Sequence, residues 1–192
     1  TKTVTVTESL KLSSESGNVE MAIISGELNK RLFRIKSGNL TIMDLIVEKG
    51  YVQGAKGGGF WVKGTAMPKP VLHFIRSIVR GCVSGFGGGV FLENAVMLLE
   101  DTKMESNKAK YGGAVSAKSS LIIIASGTMS LLKNNEATGF YGGAIQLNEA
   151  SSLHVSGNNT RLLLDGNMAQ DRGGGMCIQT ASSVYVSSGG FL

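Results

Sequence analysis

Short apolar runs separated by small polar turns recur along the chain. In one stretch the runs 115–117, 121–124 and 129–132 are divided by Ser119-Ser120 and by Ser126-Gly127. Runs of this length, bounded by Gly, Ser and Asn, are typical of β-strands joined by turns. Three such strands precede each restart of the pattern, which is the plan of a parallel β-helix.

A small-residue triplet opens each regular repeat and is followed by a short apolar run. Counted from the first residue of each triplet, the spacing is 25 to 31 residues. A fixed period in this range indicates a solenoid. The triplets are Gly57-Gly58-Gly59, Gly87-Gly88-Gly89, Gly112-Gly113-Ala114, Gly142-Gly143-Ala144 and Gly173-Gly174-Gly175.

A second element ends each repeat: an apolar residue, two variable residues, and then Asn or Gly. That last residue precedes the next triplet by 5 to 7 positions. Asn and Gly tolerate left-handed backbone at a tight corner, and stacked Asn amides can bond from coil to coil. We therefore predict corners, with an amide ladder where Asn recurs. The corner residues are Gly50, Gly81, Asn107, Asn135 and Asn167.

Together these patterns predict an all-β, right-handed parallel β-helix of about six to seven three-stranded coils. We interpret residues 1–192 as a single unit, with a less regular N-terminal coil or cap over 1–31 and regular repeats over 32–192. Pro68 and Pro70 lack ladder donors, so the insertion around them is predicted to protrude as a loop. The abrupt end at Leu192 predicts a piece of a longer protein or assembly.

Composition narrows the possible partners. The chain has 17 % charged residues and a formal net charge of +5. The densest basic patch, Lys30-Arg31 with Arg34 and Lys36, does not show the aromatic interleaving expected of a nucleic-acid site, so nucleic-acid binding is not expected. A solvated basic face is the favoured interpretation, and attraction to acidic polysaccharide or anionic lipid is the alternative. No apolar stretch is long enough for a transmembrane helix.

Candidate reactive residues are sparse. Cys82 and Cys177 are predicted to be buried free thiols, because three repeats separate them. His73 and His154 are predicted to face outward in repeats too far apart to share a metal. Two sequons make Asn39 and Asn158 possible glycosylation sites if the chain is secreted by a eukaryote. No cofactor and no metal are predicted.

Two glutamates are the strongest candidates for catalysis. Glu93 and Glu149 are predicted to occupy the same phase of the repeat, in the turn after the first strand. Hydrolysis of a glycosidic bond needs two such carboxylates on one face. However, the intervening coil places Lys118 at that phase, so we favour a mixed-charge ladder and predict no enzymatic activity.

The two repeat elements together resemble the repeat of the polymorphic membrane proteins of chlamydiae, which pairs Gly-Gly-Ala-aliphatic with Phe-x-x-Asn. The triplets at Gly112 and Gly142 match the first motif fully, whereas Gly replaces Ala in the other three. Leu or Met replaces Phe in the second motif at Met104, Leu132 and Leu164. The resemblance implies the secreted passenger region of an autotransporter, an adhesion role and an extracellular or cell-surface location.

These observations favour a non-catalytic surface or secreted module, structural or adhesion-type, whose lateral faces bind protein partners or surface glycans. End-to-end stacking with further coils is a possible additional contact. One alternative is a polysaccharide-active enzyme resembling pectin or alginate lyases or hydrolases. The other is an accessory structural subunit of a larger protein complex.

Overall fold

The protein is a parallel β-helix. The computed structural model describes residues 3–14, 22–187 and 189–192. Residues 1–2 and 15–21, which belong to the predicted N-terminal coil or cap, and residue 188 lie outside the described residues. The described residues form strands, bridges and turns but no helix, and therefore none that could cross a membrane. The predicted all-β fold of stacked three-stranded coils is confirmed.

Successive coils contribute their strands to the same sheets, and every pairing is parallel. Sheet A holds the first strand of each coil: β1 (Val4–Val6), β4 (Phe33–Ile35), β7 (Phe60–Lys63), β10 (Val90–Glu93), β14 (Val115–Lys118), β18 (Ile145–Asn148) and β22 (Met176–Ile178). Sheet B holds the second: β2 (Leu10–Ser13), β5 (Asn39–Met43), β8 (Val71–Ile75), β11 (Val96–Glu100), β15 (Leu121–Ile124), β19 (Ser152–Ser156) and β23 (Ser183–Ser187).

Sheet C completes the coils, and a smaller sheet D is added in the later ones. Sheet C holds the third strand: β3 (Ile23–Ser25), β6 (Ile46–Glu48), β9 (Ile78–Arg80), β12 (Lys103–Glu105), β16 (Met129–Lys133) and β20 (Arg161–Asp165). Sheet D follows the Asn corner in the later coils: β13 (Lys108–Ala109), β17 (Glu136–Ala137) and β21 (Met168–Ala169). The proline insertion leaves the coil before β8, and its residues 65–68 are exposed, as predicted.

The interior is filled by side chains that stack in register from coil to coil. Because side chains alternate across a strand, every second residue points inward. Phe33 and Phe60 are paired across sheet A and stack with ring centroids 5.0 Å apart. Phe74 from sheet B meets Phe60 edge-on at 5.0 Å. Burying each large apolar side chain contributes roughly 1.5–3 kcal/mol, so these columns are the main source of stability.

The triplet combines a left-handed turn with close contact between coils. Gly112 has φ +60°, a conformation that glycine adopts without steric cost. A Cβ atom on Gly113 would collide with the backbone oxygen of Gly143 and lie 2.6 Å from the backbone nitrogen of Glu136. The third position accepts a side chain, since Ala114 is fully buried there. The first two glycines of the triplet therefore have separate structural reasons, and the third position tolerates alanine.

The Asn residues form an amide ladder inside the corner. Asn107 Nδ2 donates to Asn135 Oδ1 at 3.0 Å, and Asn135 Nδ2 donates to Asn167 Oδ1 at 3.0 Å. The same oxygens accept the backbone N–H of Asn107 and of Asn135, at 3.0 and 2.9 Å. Each amide thus replaces the hydrogen bonds that the backbone loses where the coil turns.

Two details of the predicted corner are wrong. The left-handed residue is the one before the ladder Asn, as at Ser106 (φ 54°) and Asn134 (φ 53°). Gly81 is also left-handed, so it matches Ser106 rather than Asn107. The pairing of Val79 with Met104 places Cys82 opposite Asn107, and Cys82 N donates to Asn107 Oδ1 at 3.0 Å. The ladder therefore ends at Cys82.

The two free thiols differ in exposure, so the prediction that both are buried is wrong for Cys177, which is only partly covered. Burial raises the pKa of Cys82 to about 12, and burial also raises the pKa of Cys177. We expect a neutral thiol reagent to label Cys177 first, and to label Cys82 only after unfolding, because thiolate and access are both needed. Mass spectrometry of the labelled peptides measures this, and equal labelling rates in the folded protein would contradict the burial of Cys82.

Candidate binding face on sheet A

Sheet A presents an outward column of polar and aromatic side chains. The column pairs Arg34 with Trp61, Trp61 with Phe91, Phe91 with Ser116, and Ser116 with Gln146. We call this column, together with the rows on its two sides, the sheet A face. Phe91, Ser116 and Gln146 are buried although they point away from the interior, because the flanking rows rise above them. The face is therefore concave along its C-terminal half.

One flank is formed by the residue before each triplet, and we call it the aromatic row because its three middle members are aromatic. Lys56 bridges to Phe86, Phe86 bridges to Tyr111, and Tyr141 bridges to Arg172. Phe86 and Tyr111 stack with centroids 4.9 Å apart and planes inclined by 4°. Tyr111 stacks on Phe140 with its other face, at 5.1 Å, whereas the Tyr141 ring is inclined to Tyr111 by 58°. Because both faces of Tyr111 are covered by other rings, its edge is what the sheet A face presents to a ligand.

A groove of about 360 Å³ runs between the aromatic row and the opposite flank. A chain of side-chain hydrogen bonds runs along its floor from coil to coil. Ser116 Oγ donates to Gln146 Oε1 at 2.9 Å, and Gln146 Nε2 donates to Gln179 Oε1 at 3.0 Å. Its lining is aromatic on one side and polar or charged on the other: Lys56, Phe86, Phe91, Tyr111, Ser116, Ala117, Lys118, Tyr141, Gln146, Asn148, Glu149 and Gln179. Aromatic walls with a few convergent polar groups are typical of ligand sites.

The opposite flank is a row of alternating charges. Glu93 is paired with Lys63 on one side and Lys118 on the other, and Lys118 is paired with Asn148. The predicted shared phase of Glu93 and Glu149 is therefore wrong by one residue. The reason is that the chain turns at Glu149, which has φ 49° and lies just beyond the end of β18. Lys118 Nζ still contacts Glu149 Oε2, at 3.0 Å.

Glu93 is held by two lysine side chains. Glu93 Oε2 accepts from Lys56 Nζ at 3.1 Å, and Glu93 Oε1 lies 3.6 Å from Lys63 Nζ. Partial burial raises the pKa of Glu93, but the hydrogen bond from Lys56 and the neighbouring lysine charges outweigh it, so the pKa lies below its usual value. A catalytic acid needs the opposite shift.

The N-terminal half of the face is an arginine–tryptophan cluster. The guanidiniums of Arg31 and Arg34 lie over the Trp61 ring, 4.9 and 4.3 Å from its centroid. Arg31 is fixed by donating to backbone oxygens, including Lys56 O at 2.8 Å through Nη2. Burial and then the charge of Arg34 lower the pKa of Arg31. In the described part of the chain, no carboxylate pairs with either arginine.

The other lateral faces differ in character. Sheet C carries charges of alternating sign from coil to coil, and Arg80 Nη2 lies 2.8 Å from Glu48 Oε2. The outer surface of sheet B is largely aliphatic in its middle coils. Its half-buried side chains there are Val71, Ile75, Val96, Leu98, Leu121 and Ile123. An aliphatic surface of this kind suits a protein neighbour better than a hydrated ligand.

The remaining predicted site residues lie apart from the sheet A face. His73 and His154 belong to one outward column of sheet B, separated by Leu98 and Ile123. His73 Nε2 lies 2.7 Å from Glu100 Oε1. Over residues 3–14, 22–187 and 189–192, no group of three His, Cys, Asp or Glu side chains is placed to hold a metal. Asn39 and Asn158 are both exposed.

Sequence reasoning missed the aromatic row, although its signal is visible. Phe86, Tyr111 and Tyr141 each stand directly before a triplet, at the same position of consecutive repeats. Trp61 lies in the short apolar run that follows the triplet at Gly57. Its neighbours Phe60 and Val62 are fully buried, so alternation turns Trp61 outward.

Neither protein-family models, nor curated proteins, nor solved structures gave a match to this chain. The resemblance to the chlamydial repeat therefore stays a prediction.

Proposed function

We propose that this chain is a non-catalytic binding module that uses the sheet A face. The observation that carries the proposal is the groove itself, which joins aromatic edges, a hydrogen-bonded amide floor and a charged flank on a rigid solenoid. A site built on stacked strands is held more firmly than one built on loops. Such a surface suits an extended ligand lying along the coil axis.

The alternative of a polysaccharide-active enzyme is less well supported. The candidate carboxylates Glu93 and Glu149 are each held by lysine, and the pKa of Glu93 is lowered rather than raised. The resemblance to the chlamydial repeat supports an adhesion role at a cell surface or in the extracellular space. The aliphatic outer surface of sheet B would favour a protein neighbour, as expected for a subunit of a larger complex.

A binding array tests the proposal. The immobilised panel should contain neutral and acidic polysaccharides together with extracellular proteins. Ser116→Phe fills the groove floor with the side chain already present at the paired Phe91, whereas Ser152→Phe makes the same change on the outer surface of sheet B. We expect wild type and Ser152→Phe to bind the same panel members, and Ser116→Phe to lose them.

Two results would contradict the proposal. The first is retention of every ligand by Ser116→Phe, which would move binding away from the groove. The second is the release of new reducing or unsaturated ends from any polysaccharide in the panel, which would show catalysis. Circular dichroism of both variants verifies that the solenoid is intact.

A further inference from the structure

We propose that the ligand of the sheet A face is an acidic polysaccharide. Arg31, Arg34 and Lys36, in the N-terminal half of the face, would anchor it. This inference rests on the proposed function and names the ligand class for it. It follows from the charges, the orientation of the aromatic rings and the spacing of the coils.

The first argument is uncompensated positive charge. The guanidiniums of Arg31 and Arg34 converge on the Trp61 ring. Lys36 stands two residues after Arg34, so alternation places it on the same side of the sheet, at an exposed position. No ion pair reaches these three side chains from the described residues. Lys56 and Lys63 share the single carboxylate of Glu93. Two like charges held together at a half-buried site favour an anion, which would reduce their repulsion.

The second argument is unsatisfied hydrogen-bond donors. The Nε of Arg34 and the Nε1 of Trp61 are buried and lack a partner among the described residues. Both groups can only donate. Carboxylate and sulfate oxygens accept hydrogen bonds strongly, and guanidinium groups bind them in a two-pronged geometry. An acidic sugar chain would therefore supply the acceptors that the cluster lacks.

The third argument separates sugar chains from nucleic acid. Single-stranded nucleic acid binds by stacking its bases on open aromatic faces. Here the faces of Phe86 and Tyr111 are stacked on each other, and two guanidiniums cover the Trp61 ring. The ring edges that remain carry partial positive charge, which suits oxygen-rich anionic ligands.

The fourth argument is the length of the repeat. Coils follow one another at about 4.8 Å, a step close to the advance of one pyranose in an extended chain. The outward column continues from the cluster through Trp61 to Phe91, Ser116 and Gln146. These last three residues line the groove, where amide and hydroxyl groups can bind sugar hydroxyls. A polysaccharide parallel to the axis would therefore contact the cluster with its acidic groups and the groove with its hydroxyls.

Dextran sulfate and dextran form a matched pair of probes, because they share one sugar backbone and only dextran sulfate is charged. Polygalacturonate adds a carboxylate polymer, and poly-glutamate and oligo-dT represent acidic peptide and nucleic acid. We expect wild type to bind dextran sulfate and polygalacturonate but not dextran, with affinity falling as salt rises. We also expect both polysaccharides to bind more tightly than poly-glutamate or oligo-dT.

Paired charge variants locate the site. Arg34→Gln with Lys36→Gln removes two charges from the cluster, while Lys11→Gln with Lys103→Gln removes two from exposed positions of sheets B and C. We expect the first pair to weaken binding by about tenfold or more, and the control pair by about twofold or less. Lys36→Gln alone, at an exposed position that folding tolerates, should weaken binding severalfold.

Equal loss in both pairs would show non-specific attraction to the net charge and overturn the inference. So would equal binding of dextran and dextran sulfate, or stronger binding of poly-glutamate or oligo-dT. If the array finds groove-dependent binding only to neutral glycans or proteins, the inference fails while the proposed function stands. If Ser116→Phe retains all binding, the proposed function itself fails.

Discussion

Replacement of Asn135 by alanine is expected to lower the free energy of unfolding by about 3–5 kcal/mol, because each buried polar group left without a partner costs about 1–3 kcal/mol. The Asn135 side chain accepts from Asn107 N and Nδ2, and it donates to Asn167 Oδ1 and Met104 O. Alanine would leave Asn107 N without its acceptor and Met104 O without this donor where water cannot reach them, since Asn107 and Met104 are both fully buried. Asn107 Nδ2 would keep its bond to Val79 O, and Asn167 Oδ1 would keep the backbone N–H of residue 135.

Urea denaturation followed by circular dichroism measures the change, and Asn158→Ala is the control. Asn158 is exposed at a turn, so its replacement should change the unfolding free energy by less than about 0.5 kcal/mol. A loss in Asn135→Ala no larger than in Asn158→Ala would show that the ladder does not stabilise the corner.

Replacement of Gly113 by alanine is expected to cost about 3 kcal/mol or more, because the new Cβ would collide with backbone atoms of the next coil that cannot rotate away. The neighbouring coil would have to move, and its strand pairing with it. The same methyl group at Gly89, the third position of its triplet, should cost less, about 1–2 kcal/mol. Its closest contact is Ala114 O at 2.9 Å, which a small backbone shift would relieve, and later coils carry alanine at that position.

The comparison of these two variants isolates position within the triplet from the general effect of replacing glycine. Both substitutions reduce the entropy of the unfolded chain in the same way, so this contribution cancels. Denaturation midpoints at constant slope give the difference. Equal midpoints for Gly113→Ala and Gly89→Ala would contradict the close approach of the coils at Gly113.

The architecture could be predicted because its physical causes repeat. The triplet coils share a left-handed glycine and a close approach, and the later coils add a corner amide, so residues such as Gly112, Gly113 and Asn107 recur with one period and are visible without a structure. In the Gly57 repeat, Gly81 fits the local sequence pattern of the corner residue but lies one position before the ladder. Only the pairing of Val79 with Met104 reveals that Cys82 takes the place of Asn.

The candidate site could be predicted only in part. The sequence predicts Lys118 between the two glutamates. It does not show that Asn148, rather than Glu149, is paired with Lys118, because this depends on where the chain turns after β18. The basic patch around Arg34 is visible in the sequence, but its one aromatic residue, Phe33, belongs to the interior. Trp61 lies 27 positions after Arg34 in sequence but one coil away in space, so the cluster exists only after folding.

Trp61 provides the most direct test of the sheet A face as the binding surface, since it is the single tryptophan of the chain. Its fluorescence should be recorded while dextran sulfate is added to wild type and to both charge-pair variants. We predict a saturable change in wild type and in Lys11→Gln with Lys103→Gln, with dextran giving none. In Arg34→Gln with Lys36→Gln the change should need about tenfold more ligand. Binding of dextran sulfate that leaves Trp61 emission unchanged would contradict the account.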